Sequence, residues 1–317
     1  MRLVILDGYT LNPGDLSWKE IESLADVTYY DRTPAGQVAE RLRDADAALT
    51  NKVPINAATF AACPKLKYVG VMATGYNIID VAAAKNAGAT VTNVPGYSTN
   101  SVAQVVFALL LEITHRAGHH AARVAEGGWS QCPDFSFWDG PLFELRDRTM
   151  GIVGFGDIGK AVGRIAHAFG MKVIYNTRTK KPFDEFPAEY VALPELFQRA
   201  DVVTLHCPLT PENKGLISWP LLQTMKPSAI LINTARGPLV NEADLARALK
   251  EKAIAAAGLD VLSAEPPPAD NPLLSAPNCW ILPHVGWASV AARGRLMHEL
   301  AENLRAFQAG QKRNVIG

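Results

Sequence analysis

The sequence predicts an α/β protein with two doubly wound parallel-sheet domains and an active-site cleft between them. Three observations predict this fold class. The 317 residues exceed what one hydrophobic core usually organises. Two series of short apolar runs alternate with amphipathic stretches, one within residues 1–100 and one from Met150 to Leu282. Runs of the second series lack period-two polarity, as expected for strands covered on both faces.

The apolar runs give the order of the predicted strands. In the first series they are Leu3–Asp7, Val27–Tyr30, Ala47–Thr50, Tyr68–Met72 and Thr90–Val94. In the second they are Met150–Val153, Lys172–Tyr175, Val202–His206, Ala229–Asn233, Ala255–Val261 and Trp280–Leu282. An apolar helix over 101–113, with Ser101 as its cap, separates the two series, and a helix over 289–307 follows the second. We therefore predict a discontinuous domain, 1–100 plus 289–317, and a continuous one, 101–288.

Composition and charge exclude several classes of protein. The 31 basic residues balance 31 acidic ones, which argues against a nucleic-acid partner or an anionic membrane surface. The longest apolar run, 105–111, is far shorter than the roughly 20 residues of a membrane span, and the N-terminal run is too short for a signal peptide. We expect a cytoplasmic protein. Four widely spaced cysteines and the pair His119-His120, expected on a solvated helix face, predict no metal site.

A glycine-rich turn marks the candidate dinucleotide site. The segment Gly154-Phe155-Gly156-Asp157-Ile158-Gly159 fits G-x-G-x-x-G, follows a predicted strand and opens a helix that Gly170 closes. In such a turn the glycines permit a tight bend, a close approach to pyrophosphate and close helix packing, while the helix N-terminus attracts the anion. Residues 101–288 are therefore predicted to form a Rossmann-like dinucleotide-binding domain. A purely structural strand-to-helix turn is the alternative.

The end of the next strand bears on the choice of cofactor. NAD enzymes usually carry Asp or Glu there for the ribose 2′-hydroxyl, whereas this chain reads Tyr175-Asn176-Thr177-Arg178-Thr179-Lys180-Lys181. Arg178 can form a bidentate contact with a 2′-phosphate, and Asn176 and Thr177 offer neutral hydrogen bonds. We therefore assign Asn176, Thr177, Arg178 and Thr179 to cofactor binding and favour NADP over NAD. An exposed basic loop is the alternative.

Three polar residues follow predicted strands of the second series. Arg236, Glu265 and His284 lie at or just beyond strand ends, where open α/β sheets bind their ligands. Singly, each also suits a surface or core position. Together they suit hydride transfer to a 2-keto acid, because a guanidinium anchors the carboxylate and polarises the ketone while a histidine protonates the forming alkoxide. A carboxylate bonded to that imidazole would favour its protonated form and fix its tautomer.

With these motifs, the chain resembles the D-isomer-specific 2-hydroxyacid dehydrogenases along its whole length. The motifs are Gly154–Gly159, His206-Cys207-Pro208-Leu209-Thr210, Asn233-Thr234-Ala235-Arg236-Gly237, Gly258-Leu259-Asp260-Val261 with Glu265-Pro266, and Pro283-His284-Val285-Gly286. Within the family, segments 95–104 and 129–138 look most like the glycerate dehydrogenases, also called hydroxypyruvate reductases. The chain departs from the family pattern at Gln104, where many relatives have Glu, and in lacking an acid after Tyr175.

The resemblance implies a role for each site residue. Arg236 would bind the substrate carboxylate and carbonyl, His284 would donate and accept the proton, and Glu265 would support His284. Residues 1–100 plus 289–317 would form a flavodoxin-like substrate-binding domain, in which the backbone N–H groups of Thr74 and Gly75 grip the substrate carboxylate. Asp260 would hold the nicotinamide carboxamide. Further residues implied to contact the cofactor are Gly154, Gly156, Asp157, Ile158, Gly159, Cys207, Pro208, Thr234, Ala235 and Gly286.

The resemblance also implies a reaction and a partner. The expected reaction is NAD(P)H-dependent reduction of a small 2-keto acid, hydroxypyruvate first and glyoxylate next, to the D-2-hydroxy acid, here D-glycerate. A homodimer is expected, with Trp138 reaching towards the active site of the partner subunit. Two alternatives stay open: a dehydrogenase for another 2-keto acid, and an NAD(H)-sensing corepressor-like binding protein of the same fold.

Overall fold

Two sheets organise the chain, and each belongs to its own unit. In the computed structural model, which describes residues 1–317, unit 1 comprises Met1–Ser98 and Trp287–Gly317, and unit 2 comprises Thr99–Gly286. Each border lies two residues before the one predicted from the sequence. The chain therefore leaves unit 1, builds the whole of unit 2 and returns.

The strands of the two sheets are short. In chain order they are β1 (Arg2–Ile5), β2 (Asp26–Tyr29), β3 (Ala47–Thr50), β4 (Tyr68–Val71), β5 (Thr90–Thr92), β6 (Thr149–Val153), β7 (Lys172–Asn176), β8 (Ala188–Tyr190), β9 (Val202–Leu205), β10 (Ile230–Asn233), β11 (Ala256–Leu259), β12 (Cys279–Ile281) and β13 (Val315–Ile316). The order across the sheet of unit 1 is β13-β5-β4-β3-β1-β2, and that of unit 2 is β12-β11-β10-β9-β6-β7-β8. Every pairing is parallel except that of β13 with β5.

Helices connect the parallel strands. They are α1 (Lys19–Glu22), α2 (Val38–Leu42), α3 (Ala57–Ala62), α4 (Val81–Asn86), α5 (Thr99–His115), α6 (Ala117–Ala125), α7 (Asp157–Ala168), α8 (Leu193–Arg199), α9 (Trp219–Leu222), α10 (Glu242–Lys250) and α11 (Val290–Gln308). Short 3-10 turns occur at Gly8–Thr10, Ala35–Gln37, Pro211–Asn213 and Gly237–Leu239. No helix combines the length and the apolar composition that crossing a bilayer requires.

Both faces of each sheet are buried, which explains why the strands read as continuous apolar runs. In β1, Leu3 packs into one hydrophobic cluster and Val4 into a second. In β10, Leu231 and Ile232 likewise point into different clusters. The doubly wound α/β class predicted from the sequence is thereby confirmed.

Two predicted helices have the expected place, and one predicted cap is wrong. α11 begins after Ser289, whose hydroxyl accepts a hydrogen bond from the Ala292 N–H at 3.3 Å. α5 begins at Thr99, so Ser101 lies inside the first turn, where it is buried and caps nothing. The apolar pattern located both helices, but the start of α5 lies two residues earlier than the serine suggested.

The two adjacent histidines of α6 are not simply solvated, which corrects the expectation from the sequence. His119 Nε2 lies 2.7 Å from Asp139 Oδ2, and the Asp139 N–H donates to His120 Nε2 at 3.1 Å. The hydrogen bond from His119 holds the pKa of Asp139 below its usual value. Both side chains therefore hold the end of the irregular segment 127–142, which we call the arm.

Candidate active site

The carboxyl edge of the unit 2 sheet gathers most of the predicted site residues. Its strands run parallel, so the residues that follow them meet at one edge. The predicted residues after each strand are Gly154 to Gly159 after β6, Asn176 to Thr179 after β7, Cys207 and Pro208 after β9, Thr234 to Arg236 after β10, Asp260 and Glu265 after β11, and His284 and Gly286 after β12. Residues that follow six different strands can thus contact one ligand.

The glycine-rich turn after β6 has two crowded positions and one open one. Gly154 has φ +94°, and a Cβ there would lie 2.5 Å from Cys207 N. A Cβ on Gly159 would lie 2.2 Å from the carbonyl oxygen of Gly154. A Cβ on Gly156, the residue before α7, would meet nothing within 4 Å. No side chain therefore covers the backbone in front of the N-terminus of α7. A pyrophosphate can approach the free N–H groups there.

Two buried polar atoms at this edge have no hydrogen-bond partner, namely Thr234 Oγ1 and His206 Nδ1. Such atoms are rare, because a buried polar group without a partner destabilises the fold. The other ring nitrogen of His206 lies 2.9 Å from Thr204 Oγ1. Burial lowers the pKa of His206 to about 3, so the ring is neutral near pH 7. The open glycine turn and these two polar atoms fit a dinucleotide with its amide and hydroxyl groups.

An acid that the sequence did not reveal, Glu212, lies near the loop after β7. Asn176 donates its side-chain amide to the Val191 carbonyl at 2.9 Å, while Arg178 is exposed. The pKa of Glu212 lies below its usual value, chiefly through a hydrogen bond with Thr210 and also through the charge of Arg178. A carboxylate therefore lies within electrostatic reach of Arg178. No local pattern signals it, because Glu212 follows a different strand.

His284 and Glu265 form a hydrogen-bonded pair. His284 Nδ1 lies 2.6 Å from Glu265 Oε2, and Glu265 Oε1 accepts the Leu262 N–H at 3.1 Å. A carboxylate only accepts, so Nδ1 is the donor and Nε2 is left to carry or release a proton. His284 also has φ +56°, a conformation that is uncommon outside glycine and that occurs at functional sites.

Asp260 holds the loop that follows His284. Its two carboxylate oxygens accept the N–H groups of Val285 and Gly286, each at 2.8 Å. The side chain is buried, and burial raises its pKa despite these two bonds. Asp260 thus has a structural task of its own, beside the cofactor contact predicted for it.

The turn that carries Arg236 depends on Asn233. The Asn233 side chain donates to the Arg236 carbonyl at 2.9 Å and accepts the Ala235 N–H at 3.0 Å. The Arg236 guanidinium is exposed and donates to the Ala235 carbonyl at 2.6 Å. Asn233 is part of the sequence motif 233–237, in which no role was predicted for it. Its position, two and three residues before the groups it binds, is typical of an Asx turn and could have identified it.

The remaining predicted residues lie elsewhere in the chain. Thr74 and Gly75 follow β4 in unit 1, where the Thr74 hydroxyl donates to the Val94 carbonyl at 2.8 Å and the Thr74 carbonyl accepts from Asn93 at 2.7 Å. Trp138 belongs to the arm and is 66% exposed. The structure thus brings the predicted catalytic and cofactor-binding residues to one sheet edge, while Thr74, Gly75 and Trp138 are not part of that edge.

Comparisons with known proteins bear on this arrangement. Residues 107–286 match the family model described as D-isomer specific 2-hydroxyacid dehydrogenase, NAD binding domain. A hydroxypyruvate reductase of Blautia hydrogenotrophica is 48% identical, covering 100% of this chain and 99% of that protein. A glycerate dehydrogenase of Methylorubrum extorquens is 40% identical, covering 99% and 98%. The solved structure of an NADPH-dependent glyoxylate/hydroxypyruvate reductase from Sinorhizobium meliloti is 30% identical, with a TM-score of 0.85 and coverage of 100% and 97%.

Proposed function

Because the chain belongs to the D-isomer specific 2-hydroxyacid dehydrogenase family, we propose that it reduces hydroxypyruvate to D-glycerate with a nicotinamide cofactor. The chain is an oxidoreductase of the D-2-hydroxyacid dehydrogenase type. Hydroxypyruvate is favoured because the hydroxypyruvate reductase and the glycerate dehydrogenase above match almost the whole chain. Glyoxylate is the second candidate, since the Sinorhizobium enzyme is described as reducing both acids.

The observation that carries the proposed chemistry is the hydrogen bond between His284 and Glu265 at the carboxyl edge of the sheet. When NAD(P)H is bound, it supplies a hydride to the carbonyl carbon of the substrate. His284 Nε2 donates the proton that the carbonyl oxygen needs, and the ring becomes neutral. Glu265 fixes the Nδ1–H tautomer and stabilises the charged ring before transfer. In the oxidative direction His284 takes the proton back.

Arg236 is the proposed anchor for the substrate. Its planar guanidinium is exposed and can donate two parallel hydrogen bonds to a carboxylate. The positive charge also draws electron density towards the ketone oxygen and so favours attack at carbon. We assign a second grip on the carboxylate to the backbone N–H groups of Thr74 and Gly75 in unit 1.

For the cofactor, we propose that NADP is preferred and that NAD is used less well. Gly154, Gly156 and the first turn of α7, with Asp157 and Ile158, would hold the pyrophosphate. Residues 176–179 would hold the adenosine ribose. The nicotinamide half would lie against Cys207, Pro208, Thr234, Ala235, Asp260 and Gly286. The basic segment 178–181 supports NADP, whereas the charge of Glu212 near Arg178 weighs against it.

We also propose a homodimer in which the arm contacts the partner subunit. The arm exposes 91% of Phe135, 66% of Trp138 and 53% of Trp129, an unusual share for aromatic side chains in water. Trp138 would then contribute to the substrate site of the partner. Sedimentation of the wild type and of Phe135→Ser tests the dimer, because a monomer in both would refute it.

We place the enzyme in the cytoplasm, where the cell keeps reduced nicotinamide cofactor, and cell fractionation tests this location.

One substrate screen tests the proposed function. Hydroxypyruvate, glyoxylate, pyruvate and phosphohydroxypyruvate are each incubated with NADPH and with NADH, and cofactor oxidation is followed at steady state. We expect the highest kcat/KM with hydroxypyruvate, and chiral analysis should identify D-glycerate. A higher kcat/KM with another acid would make that acid the substrate. Cofactor binding without turnover of any keto acid would favour the corepressor-like alternative.

A further inference from the structure

Glu242, the first residue of α10, binds the loop that carries Glu265. Its Oε1 accepts the Ser263 N–H at 2.6 Å, and its Oε2 accepts the Asn271 side-chain amide at 2.7 Å. Hydrogen bonds to a carboxylate are stronger than those between neutral groups. The single side chain therefore fixes two points of the loop, one on each side of Glu265.

Both anchor points are themselves held in place. Asn271 is buried, and its side-chain oxygen accepts the Leu273 N–H at 2.9 Å. Ser263 directly follows Leu262, whose N–H donates to Glu265 Oε1 at 3.1 Å. The Glu242 carboxylate thus binds Ser263, the residue next to Leu262, and the Leu262 N–H orients Glu265. A shift at Ser263 must move Leu262 and, with it, the carboxylate that binds His284.

We propose that Glu242 is a positioning residue for the proton donor. It acts through Ser263 and Asn271 on Glu265, and through Glu265 on His284, without contacting the substrate. This inference rests on the proposed role of His284 in keto-acid reduction. Glu242 stands at the N-terminus of α10, which favours a negative charge there.

The test compares Glu242→Gln with a matched control on the same helix. Gln keeps the shape but presents an amide to one of the two donors, so one of them loses its acceptor. The control is Asp244→Asn, because Asp244 also accepts a backbone N–H, from Trp219 at 2.9 Å, and lies in the same first turn. No hydrogen bond or ion pair joins Asp244 to the loop of Glu265, so Asp244→Asn reports the general effect of removing a charge from α10.

For Glu242→Gln we expect kcat to fall about 10- to 100-fold, the range in which misplacement of a catalytic group acts. The dissociation constants of NADPH and NADH should stay at the wild-type value. The basic limb of the kcat/KM profile for reduction should move to lower pH, because a displaced Glu265 stabilises the charged His284 ring less. Asp244→Asn should keep the wild-type kcat and pH profile.

A second measurement does not depend on turnover. Nitrogen NMR of ¹⁵N-histidine protein, assigned with His284→Asn, reports which ring nitrogen of neutral His284 carries the proton. We expect Nδ1 in the wild type and in Asp244→Asn, and a mixture of tautomers in Glu242→Gln. If the wild type reduces no keto acid, the proposed function fails, yet the tautomer result still decides whether Glu242 positions the pair.

If Glu242→Gln does not fold, Asn271→Asp replaces it, since this variant keeps an acceptor for Leu273 and sets a carboxylate against Glu242. The same losses are expected. A wild-type kcat, pH profile and tautomer in the folded variant would overturn the proposal. Equal losses in Asp244→Asn would overturn it as well, because the effect would then belong to the helix end and not to the loop.

Discussion

The backbone of Gly237 lies directly against the carbonyl group of Leu262. A Cβ added to Gly237 would stand 1.9 Å from the Leu262 carbonyl carbon and 2.3 Å from Ser263 N. Gly237 follows Arg236, and Leu262 donates its N–H to Glu265. The turn of the proposed substrate anchor Arg236 and the loop of Glu265, which supports the proposed proton donor, thus contact each other through their backbones. A shift of one would displace the other.

Gly237→Ala should therefore damage stability and activity together. The methyl group would overlap backbone atoms, and forcing such a group into a packed site costs about 1–3 kcal/mol or more. Chemical denaturation and kcat/KM for hydroxypyruvate measure the two effects. Gly294→Ala is the control, since a Cβ there meets nothing within 4 Å in α11 and should stabilise by roughly 0.5–1 kcal/mol. Wild-type values for both properties in Gly237→Ala would contradict this packing.

His284→Asn should remove the proton donor while keeping the backbone conformation. Asn adopts positive φ at least as readily as His does, so folding should be preserved. We expect kcat to fall by roughly 10²–10⁴, the usual range for general acid catalysis. NADPH binding, followed by fluorescence, should not change. A variant with the wild-type turnover and pH dependence would exclude His284 as the donor.

Arg236→Lys should show whether the planar fork or only the charge is needed. Lys keeps the charge but cannot donate two parallel hydrogen bonds, and each charged hydrogen bond is worth about 1.5–3 kcal/mol. We expect kcat/KM for hydroxypyruvate to fall about 10- to 100-fold. Arg146→Lys, on an 80% exposed side chain, is the control and should match the wild type. An unaltered kcat/KM in Arg236→Lys would argue against a bidentate grip.

Arg178 and Glu212 should have opposite effects on cofactor preference. Arg178→Ala removes the cation proposed to bind the 2′-phosphate, so the ratio of kcat/KM with NADPH to that with NADH should fall at least tenfold. Glu212→Gln removes the negative charge near Arg178, so the same ratio should rise. Steady-state kinetics at one ionic strength gives both ratios. A ratio that neither substitution moves would sink the 2′-phosphate assignment.

Asp260 should make the stability of the protein depend on pH. Burial raises its pKa in the folded state, so the folded protein keeps this proton to higher pH than the unfolded protein does. The stabilisation is therefore complete below about pH 4, the usual pKa of Asp, and is lost as the pH rises through the folded-state pKa. The free energy of unfolding of the wild type minus that of Asp260→Asn should fall across this window and then level off. A difference that rises with pH would contradict the assignment.

The sequence was most informative where one local pattern had one physical cause. The turn Gly154–Gly159 is predictable because side chains at Gly154 and Gly159 would clash with the backbone, while Gly156 keeps the approach to α7 open. The buried strands are predictable because both of their faces are apolar. The edge strand Ala188–Tyr190 gave no such run, since it is half exposed, and the two-residue strand Val315–Ile316 is too short to show a period.

Local sequence patterns do not predict contacts between segments that lie far apart in the chain. The proximity of Arg178 to Glu212 and the grip of Glu242 on Ser263 depend on how loops from different strands meet. The same limit applies to His119 and His120 of α6, whose partner Asp139 lies near the far end of the arm. Only the fold brings such pairs together, because nothing in the spacing of the residues marks them.

The return of the chain to unit 1 has a consequence for its synthesis. Helix α11 supplies Leu296, Leu300 and Leu304 to the core of a sheet whose first five strands leave the ribosome before unit 2 does. That sheet stays unfinished while all of Thr99–Gly286 is translated. Unit 2 can therefore fold first. Until α11 is made, the N-terminal strands leave exposed the apolar residues that α11 later covers, and chaperones can bind there.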